Sequence, residues 1–202
     1  MGIYRAGHEV TGFDKDLKAL EQYPFEYINY DITNISKDFN FLSQFDAFHA
    51  SPPCQAYSYA TSQWRGLGNE YPDLVDFTRK LLLSTGKPFV LENVPNSPLR
   101  KDILLCMSMF DDGRKYMVRR HRIFEIHGFT VPQPKHEKHT GRIGDGRLIS
   151  VFGHGGGKRY NHATSNLDAW KLAMGLDWVT KRRQVSEAIP PEYTQYIFSY
   201  LR

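Results

Sequence analysis

Cys54 follows Ser51-Pro52-Pro53 and precedes Gln55, just beyond an apolar stretch from Phe45 to Ala50. Two prolines withhold backbone donors and end a strand, so this thiol sits past a strand end rather than inside one. Further on, Glu92 and Asn93 close a second apolar stretch, Pro88 to Leu91, in the run Leu91-Glu92-Asn93-Val94. A thiol and a carboxyl at two strand ends suit covalent attack on an electron-poor ring. The C5 carbon of cytosine is a weak nucleophile. A thiolate adding at C6 turns the ring into an enamine-like species that can take an electrophilic methyl group. A free thiol near pKa 8.5 is only about 3% thiolate at pH 7, so a positive charge or oriented N–H groups must help Cys54. Glu92 is the candidate acid at N3 of the ring, and Asn93 is suited to fix the loop or hydrogen-bond the base. The rival readings are a buried structural cysteine and a strand-end glutamate in a salt bridge.

Arg119-Arg120-His121-Arg122 precedes the apolar Ile123-Phe124. Residues two apart on a strand share a face, which pairs Arg120 with Arg122. Such a pair can bind the cytosine carbonyl, stabilise negative charge or hold a phosphate; a salt-bridged basic strand is the alternative. Asp14 and Asp31 each follow a short apolar run. Acids at those positions suit a nucleoside cofactor, one for ribose hydroxyls and one for an adenine amino group, although Asp is also common as a helix cap. Gly153 to Arg159 lacks the Ser/Thr and the glycine spacing of a nucleotide phosphate loop. It reads as a basic loop near DNA, with Lys158 and Arg159 as contacts, or as a plain surface loop. His136, His139, His154 and His162 have no cysteine nearby in sequence, and no metal is expected. Cys106, between Leu105 and Met107, reads as core.

The elements that must position these residues alternate. Short strands are expected at Val10 to Phe13, Phe25 to Tyr30, Phe45 to Ala50 and Pro88 to Leu91, with helical spacing from Leu74 to Leu83. That alternation predicts an α/β, largely parallel sheet. Ligands of such sheets gather at the carboxyl ends of strands, where Asp14, Asp31, Cys54 and Glu92 all fall. Tyr116 to Ile126 reads as extended, Leu148 to Phe152 as a strand, and helical signals return from Asn166 to Met174. A last helix restarts near Pro191, which suits a first helical turn. The 202 residues allow one domain with a small appendage, and 41% hydrophobic content is enough for a core. No apolar run approaches a membrane span, and two cysteines are too few for a disulfide framework, which fits a reducing cytoplasm. From 114 to 159 there are 11 Lys and Arg against 3 Asp and Glu, on an otherwise mildly acidic chain. That block predicts a face for a polyanion, with a solvated basic surface as the alternative.

Taken in order, these motifs resemble the cytosine-5 DNA methyltransferases, especially the small phage-type members. Ser51 to Gln55 is similar to their nucleophile loop and Leu91 to Val94 to their Glu-Asn-Val motif. Arg120 and Arg122 match the arginines of their Gln-x-Arg-x-Arg motif, with Val118 where glutamine is usual. Glu187 to Tyr193 is similar to the closing motif that returns to the cofactor pocket. The resemblance implies a Rossmann-like methyltransferase sheet with a small, irregular basic recognition insert, and S-adenosylmethionine as cofactor. Cys54, Glu92, Arg120 and Arg122 would be catalytic. Gly2, Asp14, Asp31, Ile32, Pro52 and Ala188 would meet the cofactor, and Ser51, Pro53, Gln55, Asn93, Val94, Lys158 and Arg159 the substrate. Double-stranded DNA would be the partner, its target cytosine flipped into the pocket, in a bacterial or phage-infected cell. The expected outline is a catalytic domain over 1–127, a recognition insert over 128–165 short enough to imply a short or relaxed target, and a return over 166–202. Met1 to Gly7 is similar to the helix after the family's glycine-rich turn. The central first strand is therefore expected to lie upstream, to come from another chain, or to be lost together with cofactor binding. Two rivals stand beside this reading: the same chemistry on RNA or free pyrimidine nucleotides, and a degenerate methyltransferase that binds DNA without reacting.

Overall fold

The computed structural model describes residues 1–37, 39–151 and 166–202. They divide into two compact units, the first formed by 1–37, 107–120 and 136–202, the second by 38–106 and 121–135. In chain order the elements run α1 (Gly2–Arg5), β1 (Thr11–Asp14), α2 (Leu17–Leu20), β2 (Glu26–Asn29), α3 (Phe39–Leu42) and β3 (Phe48–Ala50). Then come α4 (Ser62–Gly66), α5 (Val75–Ser84), β4 (Phe89–Asn93), β5 (Ile103–Leu105), β6 (Met117–Val118) and β7 (Arg122–His127). The chain ends with β8 (Leu148–Ile149), α6 (Leu167–Met174), α7 (Arg182–Glu187) and α8 (Pro191–Phe198). The fold is mixed α/β.

In the first unit β1 and β2 are parallel, Asp14 opposite Asn29 at their carboxyl ends. The Asn29 amide ties that end shut by donating to the carbonyls of Asp14 and Lys15, at 2.9 and 3.0 Å. β6 and β8 form a second parallel pair. Asn166 caps α6 by accepting from the Asp168 amide at 2.8 Å, and Gly175 ends it in the left-handed region at φ 65°, where glycine carries no Cβ penalty. Trp170, Met174, Tyr193 and Ile197 are fully buried. α8 starts with Pro191 in its first turn, as the fixed proline φ favours.

The second unit carries a four-stranded sheet in the order β3-β4-β7-β5. β3 and β4 are parallel, while β7 runs antiparallel to both of its neighbours. The sheet is therefore mixed where the sequence pattern predicts mostly parallel strands: β7 reverses after the long connection from β4. Alternation along β4 and β7 sorts the side chains. Phe89, Leu91, Ile123, Glu125 and His127 share one face; Val90, Glu92, Arg122, Phe124 and Ile126 share the other. On the first face Val75, Leu82, Phe89, Leu91, Leu99 and Ile123 pack into one cluster with α5.

The extended reading of Tyr116 to Ile126 breaks into β6 and β7, separated by residues 119–121. β7 begins at Arg122, so strand alternation does not extend back to Arg120. The expected strand at Leu148 to Phe152 is observed as Leu148–Ile149; its last residue lies outside the described residues. Among the described residues no helix is long and apolar enough to cross a membrane.

Candidate active site

The parallel register of β3 and β4 brings two chemical groups together. Ala50 is opposite Leu91, so the chain leaves β3 through Ser51-Pro52-Pro53-Cys54 beside Glu92 and Asn93. The Asn93 side-chain amide donates to the Pro52 carbonyl at 3.0 Å, and its own oxygen accepts from the Val94 amide at 2.8 Å. Asn93 and Pro52 are buried, whereas Pro53, Cys54, Gln55 and Val94 are half-buried and Ser51 is exposed. One buried amide thus fastens the Cys54 loop to the strand that carries Glu92.

The loop is held from its other side as well. The Cys54 carbonyl accepts from the amides of Tyr57 and Ser58 at 3.0 and 2.9 Å. Arg65 Nη1 reaches the carbonyls of Gln55 and Ser58 at 2.7 and 2.8 Å and the Thr61 hydroxyl at 2.7 Å. The Thr61 hydroxyl donates to the Gln55 carbonyl at 2.6 Å. Burial, then the neighbouring carboxylate of Asp73, pushes the Tyr57 phenol up, keeping it protonated. On β3, burial pushes His49 down to about 4, so it is neutral at pH 7.

Glu92 pairs with Arg122, Oε1 to Nε at 2.8 Å, with the two side chains 6% and 14% exposed. The register explains the pair. Glu92 lies opposite Phe124 on β7, so Arg122, two residues away, is its diagonal neighbour on the same face. Arg122 Nη1 also donates to the His121 carbonyl at 2.8 Å.

A second carboxylate, which the sequence pattern does not single out, lies on the opposite face. Glu125 accepts from Arg79 Nε and Nη2, both at 2.9 Å, from the Arg100 amide at 2.9 Å, and contacts His127 Nε2 at 2.8 Å. Burial works to push this carboxyl up, but Arg79, His127 and the Arg100 amide outweigh burial and hold the carboxyl at about 2. His127 stacks on Phe89 at 4.2 Å between ring centroids. Charged residues spaced along α5 and β7 carry no sequence signal that separates this structural network from a site.

In the first unit Asp14 and Asp31 stand at the ends of neighbouring parallel strands. Asp14 Oδ1 accepts from the Asp16 amide at 2.8 Å. Asp31 Oδ1 accepts from the Thr33 amide and hydroxyl at 3.0 and 2.7 Å; the hydroxyl first, then the amide, holds this carboxyl below its ordinary range. Asp31 Oδ2 lies 3.8 Å from Lys15 Nζ. Each acid thus keeps acceptor capacity on a second oxygen, which suits the hydroxyl and amino groups of a nucleoside. Ile32 opens the short 3-10 helix Ile32–Lys37 after Asp31, and Ala188 ends α7 in extended conformation; both are half-buried. Gly2 is buried against α8, where an added Cβ would come within 2.0 Å of the Pro191 carbonyl, so close helix packing accounts for its missing side chain. The Arg120 guanidinium donates to the carbonyls of Val151 and Ser186 at 3.0 and 2.6 Å, and its own carbonyl accepts from the Tyr193 hydroxyl at 2.6 Å. Lys158 and Arg159 lie outside the described residues.

No curated protein matches the chain. Among solved structures, a triple mutant of Spodoptera frugiperda DNMT2 is 17% identical with a TM-score of 0.42, covering 73% of this chain and 51% of its own. The chain thus spans about half the length of that protein. The Entamoeba histolytica methyltransferase EhMeth is 12% identical with a TM-score of 0.45, covering 96% of this chain and 98% of its own. The model of one family, the C-5 cytosine-specific DNA methylases, matches residues 1–136. That span contains both strand ends bearing Cys54 and Glu92, and the chain belongs to the C-5 cytosine-specific DNA methylase family.

Proposed function

We propose that this chain transfers a methyl group to C5 of cytosine in DNA through a covalent adduct on Cys54. The observation that carries the reading is the bond from the buried Asn93 amide to the Pro52 carbonyl. It keeps the thiol loop beside Glu92 and its partner Arg122. The family's cofactor, S-adenosylmethionine, supplies the methyl group as an electrophile. Asp14 and Asp31 are the residues of the first unit that would hold its nucleoside, with Ile32 beside Asp31.

Within the second unit, the Cys54 thiolate adds at C6 of the ring, forming an Sγ–C6 bond and moving electron density to C5. The proton that leaves the Cys54 thiol is taken up between Glu92 and N3, offsetting the charge that develops in the ring. Arg122 holds the Glu92 carboxyl in place through Oε1. Once C5 has been alkylated, its proton leaves to a base, the Sγ–C6 bond breaks and the thiolate is restored. The basic excess between 114 and 159 serves the phosphates, and 128–165 is the part that meets the target sequence.

The test is incubation with duplex DNA carrying 5-fluorocytosine, with and without S-adenosylmethionine. Fluorine at C5 blocks the final proton loss, so a competent enzyme is trapped through Cys54. A denaturation-resistant adduct that needs cofactor and is absent in Cys54→Ser is expected. Adduct on an RNA oligonucleotide but on no DNA would move the substrate to RNA, and no adduct on either would overturn the covalent reading.

A further inference from the structure

Cys54 needs a positive charge or oriented N–H groups to ionise at neutral pH. Arg122 is a poor source of that charge, because Glu92 matches it at 2.8 Å. Between Asp46 and Glu70 the one residue that is always charged is Arg65. It grips the turn that carries the thiol. Its Nη1 donates to the carbonyls of Gln55 and Ser58 at 2.7 and 2.8 Å and to the Thr61 hydroxyl at 2.7 Å. All three acceptors are neutral oxygens, so these bonds fix the guanidinium without cancelling its charge. The other titratable groups of the loop and its neighbours add little. Tyr57 is protonated, held up by burial and by Asp73. Asp73 itself is exposed and accepts from the Val75 amide at 3.1 Å. His49, on β3, is neutral at pH 7.

We propose that Arg65 is a positioning residue for the nucleophile: it holds the turn from Cys54 to Ser58 and keeps a fixed cation beside Sγ, favouring thiolate over thiol. The inference rests on the covalent reading above for its use in catalysis, but the ionisation is a property of the chain without nucleic acid. One peptide separates Cys54 from Gln55, and covalent geometry keeps the guanidinium within about 12 Å of Sγ. A unit charge at that distance, in an effective dielectric constant near 20, moves the balance between thiol and thiolate by about one pH unit. Thiolate at pH 7 then rises from about 3% to about a quarter. A less basic thiolate is also a weaker nucleophile, by about threefold per unit, which leaves a net gain of about threefold at pH 7. Arginine suits both tasks, because its planar fork meets several oxygens at once and it does not lose its proton.

The experiment follows reaction of the full chain with dithiodipyridine, an uncharged disulfide, between about pH 5 and pH 10, either side of the ordinary thiol range. No nucleic acid is present. Cys54 is half-buried and Cys106 fully buried, so the fast phase reports Cys54. In Arg65→Met the midpoint of the rate–pH curve should move up by about one unit and the plateau above it should rise about threefold, so that the two curves cross. Arg65→Gln keeps a donor for the turn and loses the charge; its midpoint should move as far. Arg65→Lys keeps the charge, and Thr61→Val removes one bond from the turn while leaving the cation; both should stay near the parent. A midpoint unchanged in Arg65→Gln would overturn the inference. So would Thr61→Val moving it as far as Arg65→Gln, since order in the turn and not charge would then be at work. Trapping on 5-fluorocytosine DNA separates this inference from the covalent reading. In Arg65→Gln it should slow about threefold at pH 7 and match or exceed the parent at about pH 10. An Arg65-dependent midpoint with no adduct in the parent overturns the covalent reading alone. An adduct whose rate and pH profile ignore Arg65→Gln overturns the role of Arg65 alone.

Discussion

Replacing Glu92 by Gln should destabilise the protein by about 3 kcal/mol, although the residue is assigned to the chemistry. Functional carboxylates are often strained, and neutralising one commonly stabilises a fold. Here the structure argues for the opposite sign. Oε1 lies 2.8 Å from Arg122 Nε, and the two side chains are only 6% and 14% exposed. Two unit charges about 4 Å apart attract by about 4 kcal/mol at an effective dielectric constant near 20. Breaking such a pair from one side leaves the other charge buried and uncompensated, at a cost of about 3–5 kcal/mol. Gln retains an acceptor oxygen for Arg122, which places the expected loss at the lower end. Arg122→Met should cost a similar amount. The double variant removes both charges and should lose about 2 kcal/mol less than the sum of the two singles. Urea unfolding of the parent, both singles and the double closes the cycle, with constant m values showing that the unfolded state is unaffected. Glu92→Gln within about 0.5 kcal/mol of the parent, or losses that simply add, would refute the claim that this pair is formed and desolvated.

Asn93→Ala removes the donor to the Pro52 carbonyl; an orphaned buried acceptor costs about 1–3 kcal/mol, and adduct formation should slow more than substrate binding weakens, read by single-turnover trapping. Glu125 is held at about 2, below an unfolded value of about 4.3. Its stabilisation is fully present above the unfolded value and is lost as the pH falls toward 2. Glu125→Gln should therefore flatten the acid limb of a stability–pH profile by about 3 kcal/mol, and an unchanged limb would disprove the assignment. Gly2→Ala would place a Cβ 2.0 Å from the Pro191 carbonyl; forcing α1 from α8 should cost about 1–3 kcal/mol in thermal unfolding. DNA binding should weaken steeply with salt, since 11 basic residues lie between 114 and 159 against 3 acidic ones; a slope near zero would remove that block from the interface.

The positions of the strand ends were legible in the sequence because the signal there is chemical as well as periodic. Apolar runs stop at Asp14, at Ser51 and at Glu92, and the observed strands end at Asp14, Ala50 and Asn93. α5 was legible from spacing, and α8 from Pro191. What the sequence hid depends on long-range pairing. β5 is three residues long and earns its place only by pairing with β7. The reversal of β7 leaves no local trace, because its apolar alternation would suit either direction. The pairing of Arg122 with Glu92 follows from that reversal, through a register in which Glu92 meets Phe124. Arg120 was grouped with Arg122 by counting alternate residues, but β7 begins at Arg122, and alternation has no meaning before a strand starts. The grip of Arg65 on three acceptors of the thiol loop was equally hidden, since one basic residue in a polar segment looks like any solvated charge.

The two carboxylates of this sheet show how one register sets two different roles. Glu92 and Glu125 sit one position apart in the β4–β7 ladder, since Glu125 lies opposite Leu91. A single step along a strand turns a side chain to the other face. Glu125 therefore points to the α5 side, where Arg79 and the Arg100 amide surround it with donors. All of its lone-pair demand is met inside the protein, leaving it nothing to offer a substrate. Glu92 points to the opposite face at the end of its strand, and one cation holds it through Oε1. Its position beside the loop of Cys54 comes from the other neighbour of β4, the parallel strand β3. The central strand β4 thus draws the thiol from one side and the arginine from the other. Shifting the β4–β7 register by one residue would leave Glu92 beside the thiol loop but turn Arg122 to the α5 face, so the carboxylate would lose its cation.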